Sequence, residues 1–249
     1  MFGNRGSGNV YYYGVILKVL MCGRYSFFET EQLYERFDVE DKVLLNPRYN
    51  VAPSQVMPVI VEKKKRQIVP MHWGLMPSWA KNEDEATKMI NARVETVAEK
   101  PSFRDLLKTQ RCLIPANGFF EWDKKDKKRI PYYVHLKKEP LFGFAGLYNR
   151  WTDKETGETL DTYTILTTNA ENEVKTIHTR MPIILTRQSE EHWLDFAEEN
   201  SATLVDLLRT HHEQHFKMYP ISELVNSPRN DTKNIFDKDW QKPVIHSLF

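Results

Sequence analysis

Apolar and polar positions along the chain form many short runs, each closed by glycine, proline or a cluster of charges. Runs such as Val56-Met57-Pro58-Val59-Ile60-Val61 are rich in β-branched residues, which suit a half-buried pleated surface. On this pattern strands are expected over 56–61 and 67–73, joined by a basic tip at 62–66. Further strands are expected over 111–115 and 118–122, read as a pair, and over 131–136 after a second basic tip at 123–129. Others follow over 141–147, 162–168, 182–185 and 214–219. Leu33, Tyr34 and Phe37 recur at helical spacing within 29–37, with Thr30 as a cap. Helical patterns also follow 90–93 and cover 103–107, 170–177, 189–196 and 202–209, while 81–88 is charged and expected to be exposed. Short strands mixed with short helices, without regular βαβ alternation, predict an α+β fold: one domain built on an antiparallel, barrel-like sheet with short flanking helices.

The 249 residues suffice for such a domain and a sizeable core. Lys and Arg number 35 against 34 Asp and Glu, for a net charge of +1, so the chain is not a polycation. Nucleic-acid binding would need its basic residues focused on one face. Two cysteines, Cys22 and Cys112, make no disulfide framework and point to a reducing cytoplasm. Among the histidines only His211, His212 and His215 cluster, without a convergent carboxylate or cysteine, so neither a metal site nor another cofactor is expected. The apolar run over 10–22 is interrupted by Lys18 and is too short to span a membrane. It lacks a signal-peptide cleavage site. Residues 1–20 are therefore expected to be an upstream-start leader outside the working protein. The domain is expected to run from 21 to 235, with a tail over 236–249.

If Met21 is the first residue and is trimmed, Cys22 becomes N-terminal, with an amine and a thiol on adjacent carbons. Such a pair can close on an aldehyde to form a thiazolidine. Three further polar segments sit beside Gly, Pro or aromatic residues at element ends: Asn91-Ala92-Arg93, Phe120-Glu121-Trp122 and His178-Thr179-Arg180. Each has a plainer reading. A free cysteine is most often a small buried hydrophobe. Asn91 can cap a following helix. Strand alternation turns Glu121 away from both aromatic neighbours, toward solvent. His178 can serve a helix dipole. Spacing alone does not bring the four segments together.

Met21-Cys22-Gly23-Arg24, Arg48-Tyr49-Asn50-Val51-Ala52-Pro53, Trp73-Gly74-Leu75, Ile90-Asn91-Ala92-Arg93-Val94-Glu95-Thr96, Arg111-Cys112-Leu113-Ile114-Pro115, Gly118-Phe119-Phe120-Glu121-Trp122 and Ile177-His178-Thr179-Arg180-Met181-Pro182 occur in this order. In that order they resemble the SOS-response-associated peptidase (SRAP) family, from Met21 through Val225-Asn226-Ser227-Pro228-Arg229-Asn230. The resemblance implies a DNA-damage protein that binds single-stranded DNA and crosslinks to abasic sites through a thiazolidine at Cys22. It implies Glu121 as general acid and base, His178 beside the sugar, and Asn91 orienting the N-terminal residue. It implies phosphate contacts from Arg24, Arg93 and Arg180, base stacking on Trp73 and Trp122, a wedge at Pro53 and a polar contact from Asn50. Met181 stands where some members carry another arginine. The expected partner is single-stranded DNA containing abasic sites, bound by a cytoplasmic monomer that joins the nucleoid on DNA, with no membrane association. Two other readings stand beside this one: a thiol (auto)peptidase using Cys22 with His178 as base, and a non-covalent binder of modified DNA.

Overall fold

A computed structural model describes residues 22–40, 42–80, 89–123, 129–210 and 215–237. The leader 1–20, the charged stretch 81–88, most of the tip 123–129, the His211-His212 pair and tail residues 238–249 lie outside the described residues.

Two sheets carry the chain. The first holds β1 (Tyr25–Phe27), β2 (Arg48–Val51), β7 (Gly118–Asp123), β8 (Ile130–Leu136) and β12 (Phe216–Pro220). Its order is β12-β8-β7-β1-β2, and every pair is antiparallel. The second holds β3 (Val56–Glu62), β4 (Arg66–Trp73), β5 (Asn91–Arg93), β6 (Arg111–Ala116), β9 (Phe142–Thr152), β10 (Thr159–Asn169) and β11 (Arg180–Pro182). Its pairings run β10-β4-β3-β6-β9 and return to β10, closing a barrel-like ring, with β5 and β11 attached along β10. Closure removes open strand edges. The sheets are mostly antiparallel, but β4 and β5 run parallel to β10.

Four short α-helices flank the sheets among the described residues: α1 (Leu33–Arg36), α2 (Arg104–Thr109), α3 (Arg187–Leu194) and α4 (Ser201–Arg209). Thr186 caps α3 by accepting from the Ser189 N–H, and Asn200 caps α4 through the N–H groups of Ala202 and Thr203. The core joins Val59, Ile60, Leu113, Ile114, Phe144, Leu147 and Ile165, all buried, with Trp193 and Leu204 from the helices. Each fully buried aliphatic or Phe side chain stabilises by about 1.5–3 kcal/mol.

Three expectations need correction. Strands β6 and β7 do not pair: β6 lies between β3 and β9, whereas β7 lies between β1 and β8. Asn117 makes the crossing between sheets; its Oδ1 accepts from the Phe28 N–H at 2.6 Å. Gly118 follows because a Cβ there would meet the Tyr133 ring at 2.5 Å. No helix begins at Asn91, which opens strand β5 instead of capping. Segment 170–177 contains only a 3-10 turn, Asn172–Thr176. Ile235, at the expected end of the domain, is fully buried, and the next residue, Phe236, stacks on Phe120 at 6.1 Å between ring centroids.

Candidate active site

The site is placed by Tyr25. Its hydroxyl meets the Tyr163 hydroxyl at 2.8 Å, and its ring packs edge-on to Trp73 at 5.1 Å. With Tyr25 fixed in the core, Cys22 sits three residues upstream at the seam between the sheets. Cys22 is 3% exposed and has a φ of 46°, in the left-handed region that costs a residue bearing a Cβ.

The four polar segments converge on Cys22. Its backbone N donates to Glu121 Oε1 at 3.0 Å, from β7. Asn91 Nδ2, from β5, donates to the Cys22 carbonyl at 3.5 Å. The Cys22 thiol lies 3.9 Å from the Arg180 carbonyl, at the start of β11. His178 Nδ1 stands 3.9 Å from Glu121 Oε1 and accepts the Arg180 N–H at 3.1 Å; the Arg180 carbonyl is also 3.1 Å from that nitrogen. Glu121 does not face solvent, as alternation alone suggested; it is 2% exposed. Its face is the seam itself, while segment 222–236 covers the opposite face of β7, where Phe120 packs with Ile221, Val225 and Ile235.

Burial drives the Cys22 thiol well above the ordinary thiol range. The charge of Glu121 and a hydrogen bond to it push the same way, against a smaller opposing pull from Arg180. The seam thus holds a protonated thiol, a carboxylate against the adjacent nitrogen, and an imidazole within reach of that carboxylate. Such a set can move protons to and from a group reacting at the Cys22 nitrogen.

The expected DNA contacts divide. Arg93 is exposed, and Trp122 and Pro53 are half-buried. The Trp122 indole N–H donates to Asn226 Oδ1 at 2.7 Å. Arg24 is also half-buried, donating at 2.7 Å to both Asn50 Oδ1 and the Val225 carbonyl. Burial lowers its pKa to about 10, so it stays cationic at neutral pH.

The three other residues expected to contact DNA are buried in the structure. Trp73 is buried, stacked on Tyr163, with its indole N–H on the Ile90 carbonyl, so its faces are taken by the core. Asn50 is fully buried, and its Nδ2 bonds the carbonyls of Val225, Ser227 and Asn230. Arg180 is 7% exposed and is held by Glu95, Asn169 and Thr167. Sequence reasoning missed Glu95 and Asp231. Asp231 pairs with Arg48 and accepts the N–H of Asn50 at 2.8 Å, covering an edge of β2. Glu95 stands in the same motif as Asn91 and Arg93, but nothing in the sequence paired it with Arg180.

Among the described residues, no group of His, Cys, Asp and Glu is arranged to hold a metal, and no helix is long and apolar enough to cross a membrane.

Fold and site define a class: a mostly antiparallel two-sheet protein with a buried cysteine, carboxylate and histidine at the seam. The chain belongs to the SOS response associated peptidase (SRAP) family, whose model matches residues 21–228. It is 41% identical over 223 residues to the abasic site processing protein YoqW of Bacillus subtilis (strain 168), covering 87% of this chain and 99% of that one. It is 35% identical over 218 residues to the abasic site processing protein HMCES of Gallus gallus, covering 75% of this chain and 64% of that one. Among solved structures, a protein from Bacteroides thetaiotaomicron matches with a TM-score of 0.76 and 34% identity, over 86% of this chain and 98% of that one.

Proposed function

We propose that this chain processes abasic sites in single-stranded DNA by linking covalently to them through Cys22, once the Met21–Cys22 bond is broken. The observation that carries this reading is the 3.0 Å contact between the Cys22 nitrogen and the buried Glu121 carboxylate. Its relatives' shared activity on abasic sites, in the two names quoted, supports the same substrate.

The open-chain sugar offers an aldehyde at C1′. The freed Cys22 amine, with an unperturbed pKa of about 7.7–8.0, attacks that carbon. Glu121 takes a proton from the nitrogen and returns one to the departing hydroxyl, which leaves as water and gives a Schiff base. The thiol then adds to the imine carbon, its proton passing to the nitrogen. Closure is intramolecular, so the ring is favoured over the open imine. The balance is one aldehyde and one aminothiol combined, with one water lost. His178 relays protons through Glu121, and Asn91 holds the Cys22 carbonyl so that the amine faces the carboxylate. Arg24 and Arg93 meet phosphates, and Trp122 offers a face to an unpaired base.

The test is intact mass of protein beginning at Cys22, with and without an oligonucleotide containing one abasic site. The expected product is a heat-stable adduct of summed mass less one water. Cys22→Ala keeps the amine, so it gives only an imine that heat reverses and borohydride traps. An equal heat-stable yield from Cys22→Ala, or from DNA without abasic sites, rejects the reading.

One observation also favours self-processing. The nitrogen that Glu121 touches is the leaving nitrogen of the Met21–Cys22 peptide bond. Attack of the Cys22 thiol on the Met21 carbonyl, with a proton delivered to that nitrogen, gives a thioester and a free amine. Water then hydrolyses the thioester. Mass measured over time on the full chain is expected to show loss of residues 1–21; a constant mass removes this second reading.

A further inference from the structure

We propose that Glu95 is a positioning residue: it holds the Arg180 side chain so that the Arg180 backbone sets the orientation and proton placement of His178. The inference deepens the proposed function and rests on it for its rate effect.

The Arg180 guanidinium is spent inside the protein. Nη1 donates to Glu95 Oε1 and, at 2.9 Å, to Asn169 Oδ1. Nη2 donates to Glu95 Oε2 at 2.9 Å and to the Thr167 carbonyl at 2.7 Å. The fork therefore meets one carboxylate through two parallel bonds, the strongest geometry an arginine makes. Nothing bidentate remains for a phosphate. Only Nε lacks a partner, and that atom is buried.

The same residue serves the site with its backbone. Its N–H points at His178 Nδ1 from 3.1 Å, and its carbonyl faces the Cys22 thiol. The Arg180 carbonyl stands at the same 3.1 Å from Nδ1, so its N–H and its carbonyl compete for that nitrogen; on this proposal the N–H contact is the one made, with Nδ1 accepting and the neutral ring protonated on Nε2.

The topology explains why an outside brace is needed. Strand β11 has three residues and pairs with β10 through Arg180↔Asn169 at its first position. His178 precedes it, outside any ladder. Glu95, two residues past the end of β5, reaches across the strand pairs β5–β10 and β10–β11 and fastens Arg180 from the far side. Its side chain is 38% exposed while that of Arg180 is 8% exposed, so a carboxylate at the surface compensates a buried cation.

The test uses protein beginning at Cys22 with ¹⁵N-labelled histidine, without DNA. Long-range ¹H–¹⁵N correlation spectra of the wild type are expected to show His178 protonated at Nε2 alone. In Glu95→Ala the two ring nitrogens are expected to average. In parallel, adduct formation at saturating abasic DNA slows by between about tenfold and a hundredfold. Affinity for an intact single strand, and its salt dependence, stay at wild-type values. Glu95→Gln keeps the shape and one acceptor, recovers part of the rate, and carries the same test if the alanine variant does not fold. An unchanged His178 spectrum overturns the proposal. So does a salt dependence steepened by about 0.7 in log–log slope, the mark of an Arg180 freed to take a phosphate. If the wild type itself forms no adduct, the proposed function falls, and the His178 spectra still decide the brace.

Discussion

Cys22 presents a nitrogen and a thiol in unequal settings, and on the proposed function both act as nucleophiles. Its nitrogen touches a carboxylate that can take a proton, while burial, followed by that same charge, keeps its thiol protonated. The thiolate, and not the thiol, is alkylated. Native protein at neutral pH is therefore expected to resist iodoacetamide at Cys22. Cys112, whose thiol burial alone pushes well up, resists too, and both react in denaturant. Intact mass reads the result. Glu121→Gln removes the charge that raises the thiol, so the Cys22 pKa falls and alkylation begins at lower pH than in wild type. Burial remains, so the onset stays above that of an exposed cysteine. The same variant cannot accept the amine proton, and adduct formation is expected to slow by a factor of about 10²–10⁴. Initial alkylation rates across pH, with adduct rates beside them, check both. Cys22, Asn91, Glu121 and His178 were legible because each lies in a motif whose order resembles one family. Glu95 lies in the same motif as Asn91 and still had no role to read from it: a single carboxylate after an arginine is normally a solvated charge, and its partner Arg180 is 85 residues away.

Strands were legible from β-branched and aromatic runs, because side-chain alternation is a local property. Their partners were not, because alternation tells which face is buried and not what pairs along the edge. Strands β6 and β7 are adjacent in sequence yet belong to different sheets, and the switch at Asn117 depends on contacts to Phe28 and Pro140 far along the chain. Segment 222–236 was harder still, since it is held by polar bonds. Asn50 is the bolt: its two amide hydrogens serve three carbonyls of that segment, and its Oδ1 receives Arg24. Asn50→Ala removes its donor from those three carbonyls, of which that of Val225 keeps Arg24, and takes the Oδ1 acceptor from Arg24. The expected loss is about 2–4 kcal/mol, read as a lower urea midpoint with the same slope. If the midpoint does not move, segment 222–236 is held by its apolar residues and by the Asp231 and Asn226 contacts, without help from the Asn50 side chain. Adduct formation is also expected to slow, because Arg24 lies two residues from Cys22.

A chain with a net charge of +1 can bind a polyanion only through a few well-placed cations. The structure narrows them. Arg180 is neutralised by Glu95, Arg36 by Glu190 and Arg48 by Asp231, so these arginines serve the fold. Arg24 bonds neutral acceptors and has no carboxylate partner among the described residues, and Arg93 is exposed on β5, the strand that Asn91 opens. On the proposed function these two supply the phosphate contacts nearest Cys22. Two released counterions on a single strand give a log–log slope of affinity against salt of about −1.4. That is shallow beside binders with many phosphate contacts, and it suits a protein whose grip becomes covalent: weak, salt-tolerant capture suffices when an aldehyde holds the strand afterwards. Fluorescence anisotropy of an intact oligonucleotide across a salt series is expected to return that slope, and Arg93→Ala to halve it to about −0.7. Arg180→Gln is expected to leave the slope alone while slowing adduct formation. A wild-type slope several times steeper would mean that basic residues outside the seam dominate binding, and that the strand crosses far more of the surface than the two arginines near Cys22.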